Sequence, residues 1–292
     1  MGYGSYSASD WKKLKQSRNL SQGQNVEEVF KRRSCDPKFD PKFIGTRECF
    51  DSADHPNTTP IVVGLDVTAS MGYVAVEVAT NALNELITKL YSTGAVEDPA
   101  LMCAAYGDYQ DASPLQVTQF ESDIRIAQQL LEIYFESRGN GDVVPTCLWE
   151  FLSRHTNIDA VNKRNKKGFV FTIGDNATIR IDSVDDTIGR VIGDNTSYGG
   201  RKAVLEELQK SFYAFHIMIG PRNPKNDDLL PGHTIYIDRS EIGQIPEIII
   251  STIQMQNGKG LDEVLKQWDE LEVPSIRKAL EQISLSDSGM QL

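Results

Sequence analysis

The sequence predicts an α/β fold: a doubly wound, mostly parallel sheet with helices on both faces. Two observations carry that prediction. Short apolar runs alternate with stretches of helical periodicity through most of the chain, the rhythm of parallel strands joined by crossover helices. Asp66, Asp108 and Asp175 each stand just after one of those runs. Ligands of such sheets bind outside the carboxyl ends of the strands, so this pattern puts three carboxylates on one rim.

Residues 1–58 are predicted as an N-terminal extension, partly extended. SASDWKKLKQSRNL reads as a short helix with a Ser or Asp cap, and NVEEVFKRR as another. The tandem DPKF pair, Asp36–Phe39 and Asp40–Phe43, is proline-broken. It predicts an extended segment laid over the surface with both phenylalanines as anchors. His55, beside Asp54, reads as a loop residue making ordinary hydrogen bonds.

Residues 59–258 are predicted as the sheet domain. Ile61–Leu65 reads as a buried strand of β-branched and apolar residues. A helix over 74–91 follows, because Ala79, Ala82, Leu83, Leu86, Ile87 and Leu90 fall on one stripe. Ala100–Tyr106 is a second buried strand and LQVTQF an edge strand or hairpin. Periodicity predicts a helix over 122–135. A glycine-rich turn over 138–146 then leads into a helix over 147–155, and NKRNKKG reads as a solvated basic loop. Strands are predicted at 168–173, 211–219 (with His216 packed inside it) and 233–237. Helices are predicted at 183–192, 201–210 and 242–255. Residues 259–292 are predicted as a helical tail, two amphipathic stretches divided by Pro274, with SDSGMQL expected to fray.

The chain has 292 residues with 40% hydrophobic content, enough for one large domain with an ordinary core plus extensions. Its formal net charge is −11, which argues against general binding to nucleic acid or to anionic membranes. No segment approaches the ~18 apolar residues of a membrane span. The start of the chain lacks the apolar run of a signal peptide. Cys35, Cys49, Cys103 and Cys147 form no CxxC pair and read as free thiols in a reducing compartment. A cytoplasmic protein is expected.

The first strand ends in IVVGLDVTASM. Asp66, Thr68 and Ser70 sit at alternate positions of a strand-to-helix turn. A carboxylate and two hydroxyls are hard ligands, suited to Mg²⁺, Mn²⁺ or Ca²⁺. DVTAS resembles the DxSxS/DxTxS signature of the metal-ion-dependent adhesion site in von Willebrand factor A (vWA) domains. Thr146, in a glycine-rich turn before a helix, resembles that family's second-loop threonine, and Asp175 its third-loop aspartate. GDYQDASPLQVTQFES, GNGDVVPT and FTIGD extend the likeness over roughly residues 47–255, toward a group of bacterial and phage vWA-like proteins.

The resemblance implies a Rossmann-like vWA fold and a divalent metal held by Asp66, Thr68, Ser70, Thr146 and Asp175. Thr68, Ser70 and Thr146 would approach the ion directly or through water, and the two aspartates largely through water. Asp108 is a candidate outer-sphere residue, and Asp142 a candidate to replace Thr146. The sequence departs from the family where Thr68 stands for the commoner serine and Ala69 for a common glycine. The implied function is a metal-dependent adaptor that captures an acidic group of a protein partner, with an AAA+ ATPase or a multi-protein assembly as the kind of partner. Nothing in that reading makes it an enzyme.

Two alternatives remain open. A strand ending in Asp with Gly174, Asp175 and Asp182 later also resembles haloacid-dehalogenase phosphatases, which use Mg²⁺ and an aspartate nucleophile. Those enzymes usually carry a second aspartate where this chain has Thr68. The other alternative is a non-catalytic scaffold whose metal only stabilises the fold.

Overall fold

The computed structural model describes residues 4–21, 23–136, 145–175, 184–193, 199–222 and 230–285. Its strands are β1 (Arg47–Cys49), β2 (Thr58–Asp66), β3 (Asp98–Tyr106), β4 (Leu115–Val117), β5 (Thr156–Ile158), β6 (Gly168–Gly174), β7 (Phe212–Ile219) and β8 (Thr234–Ile237). Six of them form one sheet in the order β4-β3-β2-β6-β7-β8, while β1 and β5 make a small parallel pair of their own. All pairings in the large sheet are parallel except that of the edge strand β4. The predicted doubly wound α/β class is what the chain adopts.

Strand alternation explains how the sheet is covered on both faces. Ile61, Val63 and Leu65 of β2 join one core and Val62 the other; Phe169, Phe171 and Ile173 of β6 join the first and Val170 the second. A central parallel strand buried on both sides reads as a continuous apolar run, and β2 does so from Pro60 to Leu65 before ending in the buried Asp66. On the first face lie the helices after β2, Gly72–Glu77 and Leu83–Thr93, and the apolar helix Ile245–Gln256. Helices Pro145–Arg154, Val184–Ile192 and Gly200–Leu208 cover the second.

The helix predicted over 74–91 is interrupted by a π segment, Val78–Ala82. All six predicted stripe residues are nonetheless buried in the first core. The helix predicted over 122–135 shortens to Arg125–Leu130. The Gln116 side chain explains its early end: it donates to Tyr134 O at 2.7 Å and accepts from Tyr134 N at 2.9 Å, drawing that backbone toward the edge strand. The C-terminal part forms two short helices, Leu261–Leu265 and Val273–Leu280. Part of the basic NKRNKKG stretch is helical, since Asp159–Arg164 forms a helix closed by Asn165 at φ 53.

The N-terminal segment contributes to the core. Ser7 caps the helix Ala8–Arg18, whose Trp11 and Leu14 are buried with the first core, as are Leu20, Val29 and Phe30. Tyr6 Oη donates to Asn84 Oδ1 at 3.1 Å, and Tyr6 N to Ser122 O at 3.0 Å. Val26 packs on Gly72 and Phe30 on Phe135, with ring centroids 5.8 Å apart. One expectation fails within the DPKF pair. Phe39 is an anchor at 2% exposure, but Phe43 stands out at 72%. Both repeats make the same local turn, Asp36 accepting from Lys38 N and Asp40 from Lys42 N. Only Phe39 meets the sheet, its carbonyl accepting from Val117 N at 2.9 Å. Among the described residues no helix is long and apolar enough to cross a membrane.

Candidate metal centre

β2 is the strand from which the chain turns first to β3 and later to β6. Its carboxyl end is therefore the topological switch point of the sheet, where a crevice opens. Asp66 is its last residue, in register with Tyr106 of β3, and Leu65 is in register with Ile173 of β6. Asp175 follows β6 immediately. The crevice has little width at its floor. A Cβ on Gly174 would lie 3.0 Å from Tyr106 Oη and 3.3 Å from Asp66 Oδ2, so glycine lets the carboxylate sit against the strand. Tyr106 Oη donates to Ile173 O at 2.9 Å and closes the floor.

Four of the five predicted ligands are joined by hydrogen bonds or near contacts. Asp66 Oδ1 accepts from Thr68 N at 2.8 Å and from Thr68 Oγ1 at 2.7 Å, an Asx-type turn that fixes the loop. Thr68 Oγ1 lies 3.5 Å from Ser70 Oγ, and Ser70 Oγ donates to Asp175 Oδ1 at 3.1 Å. Thr68 gives its proton to Asp66, which leaves its oxygen lone pairs for another group.

Asp66 Oδ2 is buried without a hydrogen-bond partner. Its residue is 0% exposed. Burial pushes the carboxyl up to about 7; the Thr68 hydrogen bonds oppose this, and the charges of Asp175 and Asp111 add to it. A buried, half-satisfied carboxylate is costly unless a cation or donor meets it.

Thr146 lies in the first turn of the helix Pro145–Arg154, fully buried, with Oγ1 also unpartnered. That helix runs antiparallel to β2. Near its end, His155 O accepts from Arg47 N, and Asp159 just beyond accepts from Asp51 N, beside the start of β2. Farther up, Leu148 Cδ2 comes 2.5 Å from where a Cβ on Gly64 would stand. Thr146 thus lies toward the Asp66 end.

Asp108 is on the same rim and buried, but it serves its own loop. Its Oδ1 accepts from Gln110 N at 2.8 Å, and its backbone N–H donates to Asp111 Oδ2 at 2.9 Å. Asp142 and Asp182 lie outside the described residues. Sequence reasoning passed over Asp111, whose charge reaches Asp66. The D-x-x-D spacing of Asp108 and Asp111 was the available signal.

His55 is buried and makes the ordinary contacts expected of a loop residue, its Nε2 lying 3.2 Å from Gly4 O. His216 is buried in β7 with Nδ1 2.8 Å from Thr172 Oγ1. Among the described residues, no three His, Cys, Asp or Glu side chains gather as a metal cluster. The rim offers two carboxylates with hydroxyls, a set that suits a hard cation and not zinc. Asp66 Oδ2, an orphaned buried oxygen beside these hydroxyls, is chemically suited to such an ion, and Thr146 Oγ1 is a second orphaned oxygen toward this end of the sheet.

The sequence matches no protein-family model and no curated protein. The fold is similar to that of the pilus adhesin SpaC from Lactobacillus rhamnosus GG in its open conformation, at 12% identity and a TM-score of 0.48, over 73% of this chain and 31% of that one. It is similar to the vWF domain of the type V pili tip protein Mfa5 from Porphyromonas gingivalis, at 10% identity and a TM-score of 0.46, over 70% of this chain and 97% of that one. Proximal thread matrix protein 1 from the mussel byssus is similar at 12% identity and a TM-score of 0.45, over 68% and 48% of the two chains. The chain thus spans less than half the length of the pilus adhesin and of the byssus protein.

Proposed function

We propose that the protein is a metal-dependent capture module of the vWA type: a divalent cation, Mg²⁺ first, held at the carboxyl rim, takes an acidic side chain of a protein partner. The observation that carries this reading is the buried, unpartnered Asp66 Oδ2, joined through Thr68 and Ser70 to Asp175. Asp66, Thr68, Ser70, Thr146 and Asp175 would hold the ion. When bound, it would supply an electrophilic position open to a carboxylate, because hydroxyls leave more of its charge unneutralised than a ring of carboxylates does.

The chain's own residues do the rest. Thr68 pins the Asp66 carboxylate, and Ser70 couples the first loop to the third. This arrangement needs neither nucleophile nor general base, so we assign capture and not catalysis. The family resemblance makes an AAA+ ATPase or a multi-protein assembly the proposed type of partner. A reducing, cytoplasmic setting is part of this proposal, in which Cys35, Cys49, Cys103 and Cys147 stay free thiols.

Calorimetric titration of the full chain with Mg²⁺, alongside Asp66→Asn, tests the proposal. Millimolar or tighter binding is expected, weakened about 10- to 100-fold in the variant, whose circular dichroism stays native. Equal binding by the two proteins defeats the reading. A melting transition that collapses in Asp66→Asn makes the metal a structural element instead.

A further inference from the structure

We propose that the captured partner presents two acidic groups close together, the second taken by Arg239 on a platform it forms with Tyr73. This rests on the metal-capture reading above and names the partner's chemistry: an acidic segment of a protein, with one carboxylate for the rim and a neighbour for the arginine.

Tyr73 stands three residues after Ser70, at the start of the helix Gly72–Glu77, and is 37% exposed. Arg239 begins the 3₁₀ turn Arg239–Gln244, which follows the carboxyl end of β8. It therefore belongs to the same side of the sheet as the candidate centre. Its guanidinium carbon lies 5.3 Å from the Tyr73 ring centroid. Such stacking fixes the orientation of an arginine while leaving its N–H edge available.

The acidic neighbours along its own turn are engaged elsewhere. Asp238 pairs with Lys278 Nζ at 3.0 Å, and Glu241 Oε2 accepts from Asp238 N at 2.8 Å. Arg239 makes no ion pair among the described residues. Platform and rim share one field: the Tyr73 hydroxyl is raised from its ordinary value by burial first, with Arg239 lowering it and Asp175 raising it.

A chain of net charge −11 thus exposes, on the same side of the sheet as its aspartate rim, an arginine that stacks on Tyr73 and has no ion pair among the described residues. A lone carboxylate bound at the rim would leave that cation unused. A second carboxylate one to a few residues away would meet the guanidinium fork in a charge-assisted pair. Selection of this kind adds specificity as much as strength.

The test uses the full chain with saturating Mg²⁺ and labelled Gly-Ser peptides carrying either one aspartate or two. Spacing in the second set runs from adjacent residues to i,i+4. Fluorescence anisotropy reads the affinities. The best two-aspartate peptide is expected to bind about fivefold tighter than the one-aspartate peptide. That ratio should fall to near one in Arg239→Gln and recover in part in Arg239→Lys. Tyr73→Leu, which removes the ring under the guanidinium, should reduce it as well. A ratio near one in the unaltered protein, or a ratio that Arg239→Gln leaves intact, overturns the inference while metal capture stands. Peptide binding that survives Asp66→Asn or EDTA overturns the capture reading itself, and binding of neither peptide set overturns both.

Discussion

At the amino end of the central strand β2, Arg164, Asp51 and Thr58 are paired with one another. Arg164 Nη1 meets Asp51, and its Nη2 donates to Thr58 O at 2.6 Å. Asp51 Oδ1 accepts from both Thr58 N and Thr58 Oγ1. At the carboxyl end of the same strand, Asp66 Oδ2 and, toward that rim, Thr146 Oγ1 are left without partners. The cavity at the amino end, about 480 Å³ and lined by Lys166, Lys167 and Lys210, is basic, whereas the rim is acidic. The contrast teaches that the first end spends its polar groups on holding the fold. The second withholds two buried oxygens for something else.

The largest effect should come from breaking the saturated end. Arg164→Met leaves Asp51 half-buried without its cation, and should cost about 3 kcal/mol in denaturant unfolding. Asp66→Asn, measured in EDTA, should cost less than about 1 kcal/mol, because an amide oxygen still accepts from Thr68. The contrast breaks if the rim variant is the less stable of the two.

A pH series sharpens it. Burial lowers His216, in the middle of β7, to about 4 from its ordinary 6.5. Between those values the unfolded chain binds more protons, so this histidine makes stability fall as pH drops from 6.5 to 4. Asp66, raised to about 7, has the opposite slope over much of that window, so the Asp66→Asn background removes that opposing contribution. There the slope should approach about 1.4 kcal/mol per pH unit at most, and His216→Gln should flatten it.

The smallest effect should be seen with Thr146→Val. It removes an unsatisfied buried hydroxyl at nearly constant volume, so stability without metal should stay level or rise by up to about 1 kcal/mol. The same variant should lose the stabilisation that Mg²⁺ gives in a thermal melt. A clear loss of stability in EDTA would show that Thr146 has a structural partner after all.

Much of this was legible in the sequence for a physical reason. The parallel strands are buried on both faces, so Ile61–Leu65 and Gly168–Ile173 advertise themselves as apolar runs, and Asp66 and Asp175 mark their ends. Thr68 and Ser70 were legible by spacing within a single turn. Long-range competition hid the rest. Gln116 ends the helix after Leu130 through contacts that helical periodicity cannot register. The pair β1–β5 joins Arg47–Cys49 to Thr156–Ile158, three residues each, too short for alternation to show. The two DPKF copies are identical, yet only Phe39 finds a neighbour. Arg239 and Tyr73 are far apart in the chain and meet only because the turn after β8 packs beside the helix Gly72–Glu77.

The N-terminal arm carries a consequence for biosynthesis. Its seats are Asn84, Ser122 and Phe135, which leave the ribosome long after Trp11 and Leu14 do. A nascent chain therefore carries those two apolar side chains before the sheet and its helices exist to complete their core, and a segment made earlier than its seats docks after them.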